Sequence, residues 1–313
     1  MENNEQNITL RVENVAKRFG EFSAVDDLSF SVRAGRVFGF LGPNGAGKTT
    51  TIRMVVGITA PDSGRIELFG RPMSYAMQDR IGYLPEERGL YKKLKIVDQL
   101  KYFAALKNVT GAEADKRIDH WLERMNLGDW KKKKTTDLSK GMQQKVQFIS
   151  TVLHDPDLLI LDEPFSGLDP INVEFLMDVI AEFKTKDKTI IFSTHLMETA
   201  EKLCNDILLI NRGRAVHFGS LRDIKAAHGK NLIALRVTGA GSVLDDREFV
   251  VDVTDHSDEK IIQLRDGVDA QRLLVRLIES GAVIDKFERV EPSLNDIFID
   301  SVRGEQAAEP AGV

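Results

Sequence analysis

Residues 42–49 read Gly42-Pro43-Asn44-Gly45-Ala46-Gly47-Lys48-Thr49 and match the pattern G-x-x-x-x-G-K-[ST] at every fixed position. Glycines let the chain curl so that successive backbone N–H groups point inward and bind phosphate oxygens. An apolar strand, Arg36–Leu41, precedes the motif, and a helix over Thr50–Val56 follows it with its positive N-terminal end. Lys48 can reach the outer phosphates, and the Thr49 hydroxyl can ligate Mg²⁺. This context favours a phosphate-binding loop over a glycine-rich turn with a chance lysine.

A pair of acids follows a second apolar strand. Leu158–Leu161 ends in Asp162-Glu163-Pro164. In an open parallel sheet, ligands bind outside the carboxyl ends of the strands. Adjacent residues of a strand point to opposite sides, so the two acids should have different roles. Asp162 is predicted to hold Mg²⁺, and Glu163 to orient an attacking water or accept its proton. A solvated strand end is the alternative for acids alone, and the phosphate loop disfavours it.

Composition restricts the class of protein. The chain has 313 residues, a formal net charge of −5 and a pI near 5.8, which disfavours nucleic acid as the main partner. The only cysteine, Cys204, excludes an internal disulfide and a cysteine-rich metal site. The polar N-terminus does not resemble a secretory signal. Apolar runs such as Ile207–Ile210 are far shorter than the roughly 20 residues of a membrane helix. If the protein acts at a membrane, another chain must supply the membrane-spanning part.

Strand and helix patterns alternate along the first two thirds of the chain, which predicts an open α/β sheet. A helical stretch at about residues 90–155 interrupts the strands, and the first domain is predicted to cover residues 1–220. A composition shift after Gly219 predicts a small α+β domain over 221–303, with Ser293 as the N-cap of its last helix. The tail 304–313 is expected to be disordered. Outside the loop and carboxylate regions, the predicted strands are Ile8–Val12, Phe30–Val32, Arg65–Phe69, Thr189–Phe192, Ile207–Ile210, Asn231–Val237, Glu248–Val253, Ile261–Leu264 and Ala282–Arg289. The predicted helices are Ile96–Leu106, Glu113–Met125, Asn172–Phe183, Leu196–Leu203, Ala270–Glu279 and Leu294–Val302.

A third motif, Leu138-Ser139-Lys140-Gly141-Met142, stands where the periodicity of the following residues starts a helix. A serine N-cap beside a small residue leaves free backbone N–H groups at a positive helix end, which makes a second candidate anion site. An ordinary capped helix is the alternative for this motif alone. Glu86 lies between the phosphate loop and this third motif, and Asp169 and His195 follow the acid pair. Together with the three motifs, these residues form a set with a definite order along the chain.

This ordered set resembles the ATP-binding subunit of ABC transporters over about Ile8 to Gly219. The resemblance implies a P-loop NTPase core with an antiparallel β subdomain and a helical insert, followed by a small α+β C-terminal domain. It implies ATP and Mg²⁺ as cofactors. The implied catalytic residues are Lys48, Glu163 and His195, and the implied metal ligands are Thr49, Asp162 and Glu86. The implied nucleotide-binding residues are Phe19, which would stack on adenine, Gly42, Pro43, Asn44, Gly45, Ala46, Gly47, Lys48, Thr49, Thr50, Ser139, Lys140, Gly141, Met142 and Asp169.

Several positions depart from the usual pattern of this family. Glu86 stands where glutamine is common, and Lys140 and Met142 stand where glycine and glutamine are common. Glu86 can still ligate Mg²⁺ but adds negative charge near the γ-phosphate. Together with residues 84–91, these variants resemble the ABC-2 type exporter branch. They are interpreted as marks of that branch and not as loss of activity. The C-terminal domain resembles the accessory domain often appended to ATPases of this branch, including the ending Pro292-Ser293-Leu294-Asn295-Asp296-Ile297-Phe298.

The resemblance also implies partners. Two ATP-binding subunits would stack head to tail, with each signature motif facing the other subunit's phosphate loop. A multispanning permease would dock on residues 71–110 and place the protein at the cytoplasmic face of the membrane. The predicted function is an ATP-hydrolysing subunit that powers an exporter by closure of this dimer. A soluble ATPase that acts on ribosomes or DNA is the alternative, and a regulatory module without turnover is a third reading that Glu163 and His195 disfavour.

Overall fold

The structure, a computed structural model, describes residues 7–308 except positions 88, 186–187, 230, 240, 257 and 266. The chain forms two compact units that divide between Leu221 and Arg222. Within the described residues, no helix is both long and apolar enough to cross a bilayer.

A six-stranded sheet forms the centre of the first unit, with the strand order β10-β9-β3-β8-β7-β6. Five strands are parallel, and β10 is antiparallel to its neighbour β9. Strands buried on both faces are apolar throughout, which explains the short uncharged runs in the sequence. The strands are β3 (Val37–Leu41), β6 (Ile81–Leu84), β7 (Leu158–Asp162), β8 (Thr189–Thr194), β9 (Asp206–Asn211) and β10 (Arg214–Ser220).

Helices connect these parallel strands, as crossover connections require. Three of them form the predicted insert between β6 and β7. In this region the Trp121 ring stacks on Phe183 at 5.7 Å, and Phe148 packs edge-on against both. The helices of the first unit are α1 (Lys48–Val55), α2 (Ile96–Ala105), α3 (Gly111–Arg124), α4 (Lys140–Val152), α5 (Pro170–Lys184) and α6 (Met197–Leu203).

An antiparallel sheet with the order β2-β1-β4-β5 completes the first unit. Its strands are β1 (Ile8–Phe19), β2 (Phe22–Arg33), β4 (Ser63–Leu68) and β5 (Arg71–Pro72). The first two are 12 residues long, far longer than the strands predicted at Ile8–Val12 and Phe30–Val32. The extensions carry polar residues and bend at Asn14 and Asp27, both of which have a positive φ, so the alternation of the strands is interrupted.

The two sheets of the first unit share one hydrophobic core. Phe30 of β2 stacks on Phe38 of β3 with the ring centroids 5.7 Å apart. Ile52 and Val55 of α1 are buried in the same cluster, together with Ile160 of β7. This core fixes α1 against both sheets and so fixes the loop that precedes α1.

The second unit is a small α+β structure. Its four-stranded antiparallel sheet has the order β12-β13-β11-β14, and helix α8 buries Leu273 and Leu277 in the core that this sheet forms. The elements after β10 are α7 (Leu221–Ala227), β11 (Leu232–Thr238), β12 (Val250–His256), β13 (Glu259–Leu264), α8 (Ala270–Glu279), β14 (Val283–Val290) and α9 (Leu294–Ala308).

Helix α9 starts where the sequence predicts. The Ser293 hydroxyl accepts a hydrogen bond from the Asp296 backbone N–H at 3.1 Å, and the Asp296 carboxylate accepts one from the Ser293 N–H at 3.3 Å. The helix continues to Ala308 and thus includes residues 304–308, for which the sequence favoured disorder. Pro310 is the first residue there that cannot continue a helix. Residues 309–313 lie outside the described part of the chain.

Candidate active site

The loop between β3 and α1 is shaped by glycines. Gly42, Gly45 and Gly47 all have a positive φ. A Cβ at Gly42 would lie 2.2 Å from the Ile210 carbonyl oxygen, and one at Gly47 would lie 2.5 Å from the Ala24 carbonyl oxygen. Only glycine fits at either position, because backbone oxygens cannot move aside. The loop ends at the N-terminus of α1, where free N–H groups favour an anion.

Lys48 is buried at the centre of this loop. Its ammonium donates hydrogen bonds to the carbonyl oxygens of Gly42 at 2.7 Å and Pro43 at 3.1 Å. The same ammonium lies 3.5 Å from Glu163 Oε1. The positive charge is therefore held inside the curve of the loop and beside the carboxylate pair. In contrast, Pro43, Asn44 and Gly45 are exposed at the outer rim.

Asp162, the last residue of β7, is fully buried. Its Oδ1 accepts hydrogen bonds from the Ser193 hydroxyl at 2.5 Å and from the Thr49 hydroxyl at 3.3 Å. Its Oδ2 has no hydrogen-bond partner in the described residues. Burial raises the pKa of Asp162 above its ordinary value. A buried carboxylate oxygen without a partner, next to a hydroxyl, is a suitable ligand pair for a hard cation.

These residues fit Mg²⁺ held together with a phosphate group. Among the described residues, no group of three or more His, Cys, Asp or Glu side chains could hold a metal alone. Magnesium usually takes one or two protein ligands and completes its shell with waters and substrate phosphates. Thr49 and Asp162 supply such a partial set beside the phosphate loop.

Glu163 occupies a strained position directly after β7. Its φ is 48°, which is uncommon for a residue with a side chain, and its backbone N–H donates to the Ser193 hydroxyl at 3.0 Å. Both carboxylate oxygens lie 3.1 Å from Nδ1 of the half-exposed His195. Glu163 thus contacts both Lys48 and His195, although the three residues come from separate motifs. Backbone strain of this kind is concentrated at functional sites.

Ser193 is a site residue that the sequence analysis did not identify. It contacts both acids, since its hydroxyl donates to Asp162 and accepts from the Glu163 N–H. Ser193 is the register partner of Asp162 in the adjacent parallel strand β8. In the sequence, the position of Ser193 two residues before His195 could have indicated its role at the site.

Phe19 and Glu86 lie on separate loops of the first unit. Phe19 ends β1 with 54% of its surface exposed, and the Lys17 ammonium lies 5.7 Å from the centre of its ring. The ring of Phe19 is therefore not part of the hydrophobic core. Glu86 is exposed in the loop after β6, and no hydrogen bond or ion pair of the described residues joins it to Asp162 or Thr49.

The signature motif forms the start of α4. Ser139 is its N-cap, and the Ser139 hydroxyl accepts from the Met142 N–H at 3.3 Å. Ser139 and Lys140 are exposed. A Cβ at Gly141 would meet its nearest neighbour at 3.6 Å, an ordinary contact, so packing within this chain does not require glycine there. Within the described residues, no hydrogen bond or ion pair joins the motif to the phosphate loop.

Asp169 acts as a capping residue in this structure. It is the N-cap of α5, and its carboxylate accepts hydrogen bonds from the backbone and side-chain nitrogens of Asn172 at 3.0 and 2.6 Å. These hydrogen bonds lower the pKa of Asp169. Its loop follows Glu163 directly and keeps the carboxylate near the surface.

Comparisons with known proteins identify the family. The family model of ABC transporters matches residues 25–166, and the model of the C-terminal domain of ATP-binding proteins like DrrA1-3 matches residues 219–302. The uncharacterized ABC transporter ATP-binding protein YhaQ of Bacillus subtilis is 44% identical over 94% of this chain and 98% of its own length. The linearmycin resistance ATP-binding protein LnrL of the same species is 32% identical over 93% of this chain and 97% of its own length. The Nod factor export ATP-binding protein I of Paraburkholderia xenovorans is 32% identical over 93% of this chain and 95% of its own length.

Solved structures agree with this assignment. A structure of the ATP-binding subunit of an ABC transporter matches with a TM-score of 0.66 and 32% identity, and covers 71% of this chain and 93% of its own. The cbiO1 subunit from Clostridium perfringens matches with a TM-score of 0.63 and 27% identity, and covers 71% and 92%. The predicted P-loop NTPase fold and the resemblance are both confirmed. The chain therefore belongs to the ATP-binding proteins of ABC transporters, the family that hydrolyses ATP to drive transport.

Proposed function

We propose that this chain is the ATP-hydrolysing subunit of a membrane exporter. The observation that carries the proposal is the convergence of Lys48, Thr49, Asp162, Glu163 and His195 at the carboxyl edge of one parallel sheet. Phosphoryl transfer to water needs little covalent chemistry from a protein and depends on positioning and charge neutralisation. This set contains a cation, two acids, a hydroxyl and an imidazole for that task.

Each residue has a role that follows from its position. The N–H groups of the loop and the Lys48 ammonium bind the β- and γ-phosphates, while Phe19 stacks on adenine. Thr49 and Asp162 hold Mg²⁺, and Glu86 would join them from the loop after β6. Bound Mg²⁺ would neutralise phosphate charge as the terminal bond breaks. Glu163 orients the attacking water and accepts its proton, and His195 contacts Glu163 and the γ-phosphate.

A second ATP-binding subunit would complete the site. The signature motif presents an exposed helix N-terminus with Ser139 as its cap, next to a glycine that the chain's own packing does not require. Such an end attracts the γ-phosphate bound to another subunit. ATP would thus hold two subunits together, with Asp169 on the loop beside the contact.

A permease would dock on the helical insert. A cavity of about 350 Å³ opens between β6, the end of α1 and the insert, with apolar walls that include Ile58, Leu90, Phe103 and Leu106. The exposed rings of Tyr91 and Tyr102 lie beside it and contact Phe103. An apolar cavity with an aromatic border is suited to a short amphipathic segment of a partner. The sequence predicted docking on residues 71–110, which supply many of these side chains.

The names of the relatives support export over the soluble alternative. One relative is a Nod factor export protein and another a linearmycin resistance protein, and both align over nearly their whole length. The helices of the insert have 10, 14 and 13 residues, too short for a coiled-coil arm of the kind used on DNA.

The proposal is tested by purification of the tagged protein from membranes in mild detergent. We expect a second chain with about six apolar spans of membrane length to co-elute. The variant Leu106→Asp, which places a charge in the cavity wall, should lose this chain, because the charge would have to be desolvated. The control Val283→Asp changes an equally exposed side chain in the second unit and should keep it. Co-sedimentation with ribosomes and no membrane partner would contradict the exporter assignment.

A further inference from the structure

Among the described strands, β6 lies at one edge of the central sheet, where β7 is its hydrogen-bonded neighbour. Carbonyl groups alternate in direction along a strand, so every second one points away from β7. The carbonyl of Arg80 accepts from the Asp157 N–H on the β7 side. The carbonyls of Ile81 and Tyr83 therefore face the open edge, and the loop that follows continues along it. Buried carbonyls need partners, and helix α4 lies against this edge.

Three polar side chains, two from α4 and one from the turn that follows it, contact carbonyls of β6 and of the loop after β6. Nε2 of His154 lies 3.1 Å from the Ile81 oxygen, and the Gln147 amide donates to Pro85 at 3.2 Å and to Glu87 at 3.1 Å. The Thr151 hydroxyl donates to the Gln147 carbonyl of its own helix at 3.0 Å and lies 3.4 Å from the Tyr83 oxygen. The four-residue spacing of Gln147 and Thr151 places them on one face of the helix, and His154 follows in the turn after it. Because a carbonyl can only accept, His154 must donate from Nε2. Burial and the Lys107 ammonium lower the pKa of His154, which keeps its ring neutral.

The helix and the strand are in very close contact. A Cβ at Gly82 would lie 2.5 Å from the Thr151 carbonyl oxygen and 2.9 Å from the Pro156 ring. This close packing fixes the position of α4 against β6, and with it the point from which the loop after β6 starts.

Gln147 is the member of the row that holds this loop. The side chain is 4% exposed, and both of its hydrogen bonds go to the carbonyls on either side of Glu86. Its Oε1 has no hydrogen-bond partner in the described residues. An unpaired buried oxygen costs free energy, and an apolar side chain of similar size would avoid this cost. Gln147 therefore stabilises the core less than an apolar side chain would, although its amide holds the loop.

We infer that Gln147 is a positioning residue that ties Glu86 to the signature helix. Gln147 and Ser139 belong to the same helix, eight residues and about 12 Å apart. This link sets the position of Glu86 at the nucleotide bound by the same chain. It also relates that position to the orientation of the signature motif toward the other subunit. The inference rests on the proposed function, which gives Glu86 its role at the metal.

The test measures dimer formation and not turnover. In the Glu163→Gln background, light scattering after size exclusion gives the Mg²⁺ concentration at which ATP causes half-maximal dimerisation. Gln147→Met keeps the volume and removes both donors, and Glu86→Ala removes the ligand. Each change should raise this midpoint about three- to tenfold. The double variant should have the same midpoint as Glu86→Ala alone, because Gln147 acts only through Glu86. Gln147→Leu replaces the Met variant if the latter does not fold.

A matched control comes from the same helix. Thr151→Val removes a hydroxyl that donates to the Gln147 carbonyl and lies 3.4 Å from the Tyr83 carbonyl of β6, but it leaves the Gln147 amide and the loop carbonyls intact, so the Mg²⁺ midpoint should be unchanged. Equal shifts from Gln147→Met with and without Glu86 would overturn the inference and assign Gln147 a purely structural role. An unchanged midpoint in Glu86→Ala would also overturn it. A Glu163→Gln parent that never dimerises with ATP would overturn the proposed function itself.

Discussion

At the scale of single residues, Asp162 combines full burial with a charge. Its pKa is raised, so between its ordinary value of 3.8 and the raised value the folded chain binds more protons than the unfolded one. The free energy of unfolding therefore decreases as the pH rises through this range. Above it, the buried carboxylate carries the full cost of its ionised form.

Asp162→Asn should remove this cost when ATP and Mg²⁺ are absent. At pH 7 in a chelator we expect the Tm to rise by about 2–4 °C, with a smaller gain near pH 4. Addition of Mg²⁺ and ATP should stabilise the parent protein and not the variant, because the variant lacks the ligand. Thermal unfolding at a series of pH values measures both effects. Asp178→Asn, on an exposed face of α5, is the control, and an equal change in both variants would refute this account.

Lys48 has a different role from the acids, because its ammonium binds substrate directly. Lys48→Ala should weaken ATP binding about 10- to 100-fold, since hydrogen bonds to charged groups contribute about 1.5–3 kcal/mol. Equilibrium binding of a fluorescent ATP analogue tests this expectation. Lys184→Ala, at the exposed end of α5, should have no effect. Unchanged affinity in Lys48→Ala would remove this lysine from the phosphate site.

At the scale of secondary-structure elements, the contact between α4 and β6 depends on one small residue. Gly82→Ala places a methyl group against backbone atoms and should destabilise the protein by about 1–3 kcal/mol, as overpacking does. Gly89→Ala is the matched control, because a Cβ there has no atom within 4 Å. Urea denaturation of both variants measures the difference. Equal stability of the two would mean that the helix can shift away from the strand at little cost.

The sequence predicted the elements that are buried on both faces. The strands at Leu158–Asp162 and Thr189–Thr194 have uncharged runs that only a buried parallel strand explains. Strands β6 and β10 were not predicted, since each lies at an edge of the sheet and lacks a long apolar run. The full lengths of β1 and β2 were missed because one face of these strands is polar.

The site residues likewise fall into those that sequence motifs predicted and those that only the packing of the chain reveals. Fixed motifs predicted Lys48, Asp162, Glu163 and His195, and the structure brings these residues together. Ser193 was missed because a serine at a strand end has no distinctive pattern. The hydrogen bonds of Gln147 depend on the packing of α4 against an edge strand, which spacing along the chain does not reveal.

At the scale of the whole molecule, the proposed function requires two chains. Glu163→Gln should keep ATP affinity, lower turnover by about 10²-fold or more, and accumulate dimers with ATP and Mg²⁺. Phosphate release and light scattering measure turnover and mass. Glu174→Gln, on the exposed side of α5, should hydrolyse ATP normally and form no stable dimer. Normal hydrolysis by Glu163→Gln, or monomers at high concentration, would contradict the two-chain site.

The hydrogen bonds from α4 to β6 also affect solubility. An uncovered strand at a sheet edge offers unpaired carbonyls to any foreign strand and is a starting point for aggregation. Here the His154 ring, just after α4, binds the Ile81 carbonyl, and Thr151 of α4 lies against the Tyr83 carbonyl. Gln147 binds the next two carbonyls, in the loop that follows the strand. If the helical insert detaches on heating, this edge becomes available for pairing with strands of other molecules while the rest of the sheet is still folded. Precipitation of the heated protein is therefore expected to begin at Ile81–Leu84.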